Sequence, residues 1–160
     1  MDFIKFSDNH KIVNLNSVSN IGYVEEEYKS KVIFNLDYGV SLRDKNSKEQ
    51  EKIISDYIYW ASSDYKMYLE MKQFIKNKTA DWIKCPFDDN SRVINPKKIS
   101  SIVYDVDQST RRYKIIFNLS HTVSMRNSAG TTSEYVFFKF DTFEKYLDCK
   151  KYVEGVLGLF

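Results

Sequence analysis

Lys31-Val32-Ile33-Phe34-Asn35-Leu36 returns later in the chain as Lys114-Ile115-Ile116-Phe117-Asn118-Leu119. In both stretches Val32 or Ile115, Phe34 or Phe117 and Leu36 or Leu119 alternate with the intervening positions. That two-residue period, rich in β-branched and aromatic residues, predicts a strand. Its recurrence decides the fold, because the flanks recur in the same order. Phe3-Ile4-Lys5 matches Trp82-Ile83-Lys84. Asn14, Val18, Ser19, Ile21 and Tyr23 match Asn95, Ile99, Ser100, Ile102 and Tyr104 at a shift of 81. The central strand and Val40-Ser41-Leu42-Arg43, which matches Val123-Ser124-Met125-Arg126, are shifted by 83. Tyr57-Ile58-Tyr59-Trp60 matches Tyr135-Val136-Phe137-Phe138 at a shift of 78, as do Tyr65, Tyr68, Leu69 and Lys72 with Phe143, Tyr146, Leu147 and Lys150. The shifts change only where turns are expected. Four blocks in one order argue for duplication of a unit of about 78 residues. The expected units are 1–79 and 80–160, joined by the polar run Lys76–Asp81.

Each unit reads as a curved antiparallel sheet of four or five strands followed by one helix, an α+β architecture. A leading strand is expected at Asp2–Phe6 and Asp81–Cys85, and the next at Ile21–Glu26 and Ile102–Val106. Hairpin turns at Glu27–Ser30 and Asp107–Arg111 lead into the central strand. Tyr38-Gly39 and Ser120-His121 are expected to turn into a further short strand, and Ile54–Trp60 and Glu134–Phe140 form the last. Ser62 or Ser63, and Asp141, stand where helix N-caps belong. Tyr65, Tyr68, Leu69, Met71 and Ile75 then follow helical spacing, as do Phe143, Tyr146, Leu147, Cys149, Val153 and Val156. One such unit buries only roughly 60% of its unfolded surface. The two are therefore expected to pack as a pseudo-dimer, sheet to sheet or with exchanged elements. The alternative leaves aromatics on an open sheet face, where they could stack bases.

The chain has 160 residues, 24 Lys and Arg against 22 Asp and Glu, and a net charge of +2. Neither a strongly basic nucleic-acid binder nor an acidic mimic fits that balance, although a local patch does. Residues 1–79 carry 12 basic and 12 acidic side chains, and residues 80–160 carry 12 and 10. With 5 Gly and 2 Pro there is no Gly-rich phosphate loop and no nucleophile-elbow motif. Two cysteines suit a reducing, cytoplasmic setting. No apolar run is long enough to span a membrane, and the start lacks the layout of a signal peptide.

Chemistry is sparse. His10 and His121 occupy unmatched columns and have no ligand-like neighbours, so they read as loop residues. Cys85 precedes a proline, and Cys149 replaces Met71 in the helix stripe as an apolar filler. No metal set or cofactor motif exists. Glu25-Glu26-Glu27 and Asp105-Val106-Asp107 read as solvated turns rather than paired catalytic carboxylates. Asn35 and Asn118, and Asn14 and Asn95, match across the repeat, and bonds to a turn backbone would explain them. The chain therefore reads as non-enzymatic. Basic residues interleaved with aromatics suit single-stranded nucleic acid. The residues expected to bind it are Lys29, Lys31 and Arg43 in the first unit, and Arg111, Arg112, Tyr113, Lys114 and Arg126 in the second. The bland reading makes these charges solubilising groups at strand edges.

The spacing Asn14-x-x-x-Val18-x-x-Ile21 and Asn95-Pro96-x-x-Ile99-x-x-Ile102, followed by a strand and a helix, resembles small FlbD-type bacterial proteins. The duplicated sheet-plus-helix unit resembles the Pur-alpha and Whirly class of nucleic-acid-binding domains, and Arg111-Arg112-Tyr113-Lys114-Ile115 is similar to the basic-aromatic strand of the Pur type, without its glycine. That resemblance implies intertwined repeats whose curved sheets contact single strands. The competing expectation is a protein-interaction or regulatory adaptor, such as a pleckstrin-homology-like tandem or a phage- or plasmid-borne inhibitor. Either would act as a monomer or homodimer away from membranes.

Overall fold

The computed structural model describes residues 2–6, 11–43, 51–124 and 131–159. The class is α+β: antiparallel sheets with two helices, each following a run of strands. In chain order, β1 (Phe3–Lys5) and β2 (Ile12–Asn14) make a short ribbon of their own. Then come β3 (Val18–Glu25), β4 (Ser30–Arg43), β5 (Glu51–Ser62) and α1 (Tyr65–Lys78). The rest of the chain supplies β6 (Val93–Ile94), β7 (Ile99–Asp107), β8 (Arg112–Ser124), β9 (Thr131–Phe140) and α2 (Phe143–Val156).

The strand grouping differs from a plain pair of four- or five-stranded sheets. One sheet has the order β5-β4-β3-β6, the other β7-β8-β9. The fourth strand of the first sheet, β6, thus comes from beyond α1, with Asn20 opposite Ile94 and Ile21 opposite Val93. Only an isolated bridge, Ile83 with Ile94, stands in the second half where the first half has β1 and β2. The turns expected at Tyr38-Gly39 and Ser120-His121 are absent. β4 and β8 run straight on, and the pairing instead slips between Asn35 and Gly39 and between Asn118 and Thr122. A bulge takes up the extra residues by bending a strand rather than ending it. The same slip occurs between Val18 and Asn20 and between Ile99 and Ser101.

Alternation sets the core. Val32, Phe34 and Leu36 of β4 and Trp60 of β5 turn inward onto Tyr68 and Ile75 of α1. Ile115, Phe117 and Leu119 of β8 with Phe138 of β9 turn inward onto Tyr146, Cys149 and Val153 of α2. The apolar stripe of each helix is narrower than its spacing suggests. Leu69 and Leu147 are exposed, while Lys72 is buried. The first core also takes in Trp82 and Val93 from beyond α1, and β4 and β8 are in contact.

The helix caps fall one or two residues later than expected. Asp64 Oδ1 accepts from Lys66 N at 3.0 Å and Met67 N at 3.3 Å, and Thr142 Oγ1 accepts from Lys145 N at 3.2 Å. Ser62 still belongs to β5, and its hydroxyl accepts from Asp64 N, holding the cap residue in place. No described helix is long and apolar enough to cross a membrane.

Candidate nucleic-acid interface

The positions of β4 and β8 that do not face the core form a matched outer row. On β4 this row is Lys31, Ile33 and Asn35, and on β8 it is Lys114, Ile116 and Asn118, all half-buried. The neighbouring strands put aromatic rings beside them. Ile33 lies opposite Tyr59 and Asn35 opposite Tyr57, while Ile116 lies opposite Phe137 and Asn118 opposite Tyr135. Tyr57 and Tyr59 are 51% and 42% exposed, and Tyr135 and Phe137 are 58% and 46% exposed. Ring centroids are 6.3 Å apart in the first pair and 6.4 Å apart in the second. Each pair carries a cation. Lys11 Nζ lies 4.9 Å from the Tyr59 ring centre, and Lys114 Nζ lies 5.0 Å from that of Phe137.

Asn35 and Asn118 hold the inner end of each row at the register slip. Asn35 Nδ2 donates to Asn20 Oδ1 at 2.9 Å, and Asn118 Nδ2 donates to Ser101 Oγ at 3.0 Å. These bonds run across strands, so the turn-backbone explanation does not apply to this pair. It does apply to the other: Asn14 and Asn95 accept from Asn16 N and Lys97 N and cap one-turn 3₁₀ segments.

Arg92 connects the two outer faces. It stands just before β6, is exposed, and donates from Nη1 to Asn20 Oδ1 at 2.8 Å. One groove, of about 430 Å³, is lined by Lys31, Ile33, Asn35, Tyr57, Tyr59 and Arg92. A second, of about 580 Å³, includes Arg92, Tyr135, Phe137 and Lys139, with Asp88 and Glu134 on its acidic side. Arg92 therefore borders both. Its sequence setting, Ser91-Arg92-Val93, carries no signal of this place, because the place exists only once β6 has joined β3.

The residues singled out from sequence are spread over the molecule. Lys31 and Lys114 lie in the matched rows, Lys31 Nζ being 3.7 Å from Glu26. Tyr113 is buried and packs on Phe143 and Tyr146, so its ring is not offered to solvent. Arg112 is exposed and its Nε is 3.1 Å from Asp105. Arg111 is exposed in the β7–β8 turn with φ 53°, behind an Asp107 carboxylate that accepts from Ser109 N and Thr110 N. Lys29 is exposed in the β3–β4 turn. Arg43 ends β4, where only the backbone is described, and Arg126 and His10 lie outside the described residues. Sequence reasoning missed the four exposed rings as a site. The signal was present: Tyr57, Tyr59, Tyr135 and Phe137 occupy the alternate positions to Ile58, Trp60, Val136 and Phe138.

The acidic clusters are structural ties. Glu25 Oε1 lies 3.8 Å from the buried Lys72 Nζ, and Lys72 also reaches Asp89 at 3.2 Å. Lys76 closes the same cluster on Asp89, and its hydrogen bond, followed by that of Lys72, holds the Asp89 carboxyl below its ordinary range. Lys72 Nζ also sits 5.0 Å from the Tyr23 ring centre. Among the described residues, no group of three or more His, Cys, Asp or Glu side chains could hold a metal ion. No family model matches the chain, and no curated protein and no solved structure shows detectable similarity to it.

Proposed function

We propose that the chain is a non-enzymatic module that binds single-stranded DNA or RNA across the outer faces of its two larger sheets, which act as a pseudo-dimer. The observation that carries this is the matched pair of exposed aromatic steps, Tyr57–Tyr59 and Tyr135–Phe137, each beside a lysine-bearing strand. A base stacked on an aromatic ring contributes about 1–3 kcal/mol, and stacking tolerates any base sequence. Lys31, Lys114 and Arg92 stand within the rows and grooves where phosphates of a strand crossing the rings would run. Arg111, Arg112 and Lys29, at the hairpin turns, add a weaker, longer-range attraction. A net charge of +2 is compatible with this because the contribution of the rings does not depend on charge. The two free cysteines fit a cytoplasmic setting.

The test is fluorescence anisotropy with a labelled single-stranded oligonucleotide, repeated at several salt concentrations. The reading requires saturable binding that weakens as salt rises from about 50 to 200 mM, linearly in log Kd against log salt. Absence of binding at low salt overturns it and favours the adaptor reading, for which α1 offers exposed apolar side chains, Tyr65 and Leu69 on one flank and Met67 and Phe74 on the other.

A further inference from the structure

Aromatic rings stack any base, so the two aromatic steps select nothing by themselves. The amides beside them differ in what they offer. Asn35 lies opposite Tyr57 on the neighbouring strand and lines the groove of about 430 Å³ together with Tyr57, Tyr59 and Arg92. A base resting on Tyr57 therefore has its edge within reach of the Asn35 amide.

Which end of that amide is left over follows from its partners. Arg92 carries only N–H donors, so the Asn20 atom that it meets at 2.8 Å is the oxygen, Oδ1. The same oxygen takes a second bond from Asn35 at 2.9 Å, and Asn35 has to present its Nδ2 there. Asn20 cannot turn over. It is 0% exposed, and its own Nδ2 donates to Ser19 Oγ at 3.0 Å. The Ser19 hydroxyl in turn donates to the backbone carbonyl of Asn35 at 3.2 Å, so towards Asn20 it is an acceptor. These bonds run in one direction only. They leave Asn35 Oδ1 as an acceptor with no donor among the described residues.

The second half repeats the amide without the lock. Asn118 Nδ2 donates to Ser101 Oγ at 3.0 Å, and Ser101 is exposed. A hydroxyl both donates and accepts, so this amide turns over without losing that bond and shows a base either its oxygen or its NH2 group. Asn118 is also not among the described residues that line the second groove. The difference traces to β6, which pairs with β3 at Asn20, whereas β7 is an edge among the described strands.

We propose that Asn35 makes the first groove selective for bases with an exocyclic amino group, adenine, cytosine and guanine over thymine and uracil, while the second aromatic step is indifferent. This rests on the single-strand reading above. An amino group holds two N–H donors outside the ring, and the Asn35 oxygen accepts one of them. Thymine and uracil offer one imino N–H between two carbonyl oxygens, and those oxygens repel Asn35 Oδ1.

The test is fluorescence anisotropy at neutral pH and one salt concentration, with labelled oligo-dC and oligo-dU of equal length. The two have the same backbone charge and ring size and differ at the amino edge. The wild type should bind oligo-dC at least about fivefold more tightly than oligo-dU, as expected for one hydrogen bond. Asn35→Ala should bring the ratio of the two affinities to within about twofold of one, and Asn118→Ala should keep the wild-type ratio. A general loss of affinity does not imitate a change in ratio. Circular dichroism identifies a variant that fails to fold, and the wild-type ratio then decides alone. Equal binding of the two by the wild type, or tighter binding of oligo-dU, overturns the inference and leaves the single-strand reading standing. Binding of neither overturns that reading and the inference with it. A preference for oligo-dC that survives in folded Asn35→Ala, or is lost in folded Asn118→Ala, also overturns the assignment to Asn35.

Discussion

Tyr57 and Tyr135 present about half of their surface to solvent. Truncating them removes little core packing, so the account separates their effects on binding and on folding. Tyr57→Ala should weaken oligonucleotide binding by about 1–3 kcal/mol, measured by anisotropy, with Tyr135→Ala behaving alike. Folding stability in urea should move by less than about 1 kcal/mol in either variant. Tyr23 makes the opposite case. Its ring is buried in the first core and its hydroxyl has no partner among the described residues. Burial first, then Tyr68 and Asp89, holds its phenol above the ordinary value of 10.0. The unfolded chain therefore ionises before the folded one, and this group's contribution is intact below pH 10 and lost as pH rises beyond it. Tyr23→Phe should leave stability at neutral pH unchanged or slightly raised and should flatten the alkaline limb of a stability-against-pH curve. At this scale the sequence was legible where alternation is strict. The inward Phe34 and Phe117 could be read from spacing. Tyr113, two residues before Ile115 on β8, shares their alternation, so its inward turn follows from the same spacing.

Helix α1 illustrates what spacing leaves open. The helix itself follows from Tyr65, Tyr68, Leu69, Met71 and Ile75, but its start depends on where β5 lets go. Ser62 remains in the strand, and Asp64 caps. Asp64→Ala should cost about 1 kcal/mol in a urea titration, and Ser63→Ala only a few tenths. The strands were legible in number along the central hairpins and illegible at their distal ends. Tyr38-Gly39 looks like a turn because glycine commonly serves one. Gly39 instead lies where β4 re-forms its pairing with β5, opposite Ser55, after the slip that follows Asn35. A bulge and a turn share composition, and only the length of the paired strands distinguishes them.

At the scale of the whole molecule the first core and sheet are completed by residues from beyond α1. Trp82 and Val93 complete the first core, β6 extends the first sheet, and Asn95 Nδ2 donates to Val18 O at 3.1 Å. Lys98 adds an ion pair with Asp37 at 2.7 Å. Residues 1–79 expressed alone lack these partners, and should show poor amide protection in hydrogen exchange where the full chain shows strong protection of β3 and β4. The four blocks that recur in order could be read from sequence, as could the two strand-then-helix runs that carry them. The crossing of β6 could not, since two residues carry too little pattern to announce which sheet they join. That crossing also brings Arg92 to the boundary of both grooves, which is where the proposed binding reading requires a strand to pass. The most direct measurement is therefore a titration of one single-stranded oligonucleotide against three proteins: the wild type, Tyr57→Ala/Tyr59→Ala and Tyr135→Ala/Phe137→Ala. Each double variant, folded by circular dichroism, should bind at least about tenfold more weakly than the wild type, with the salt slope of the wild type retained. Wild-type affinity in both double variants would contradict the account.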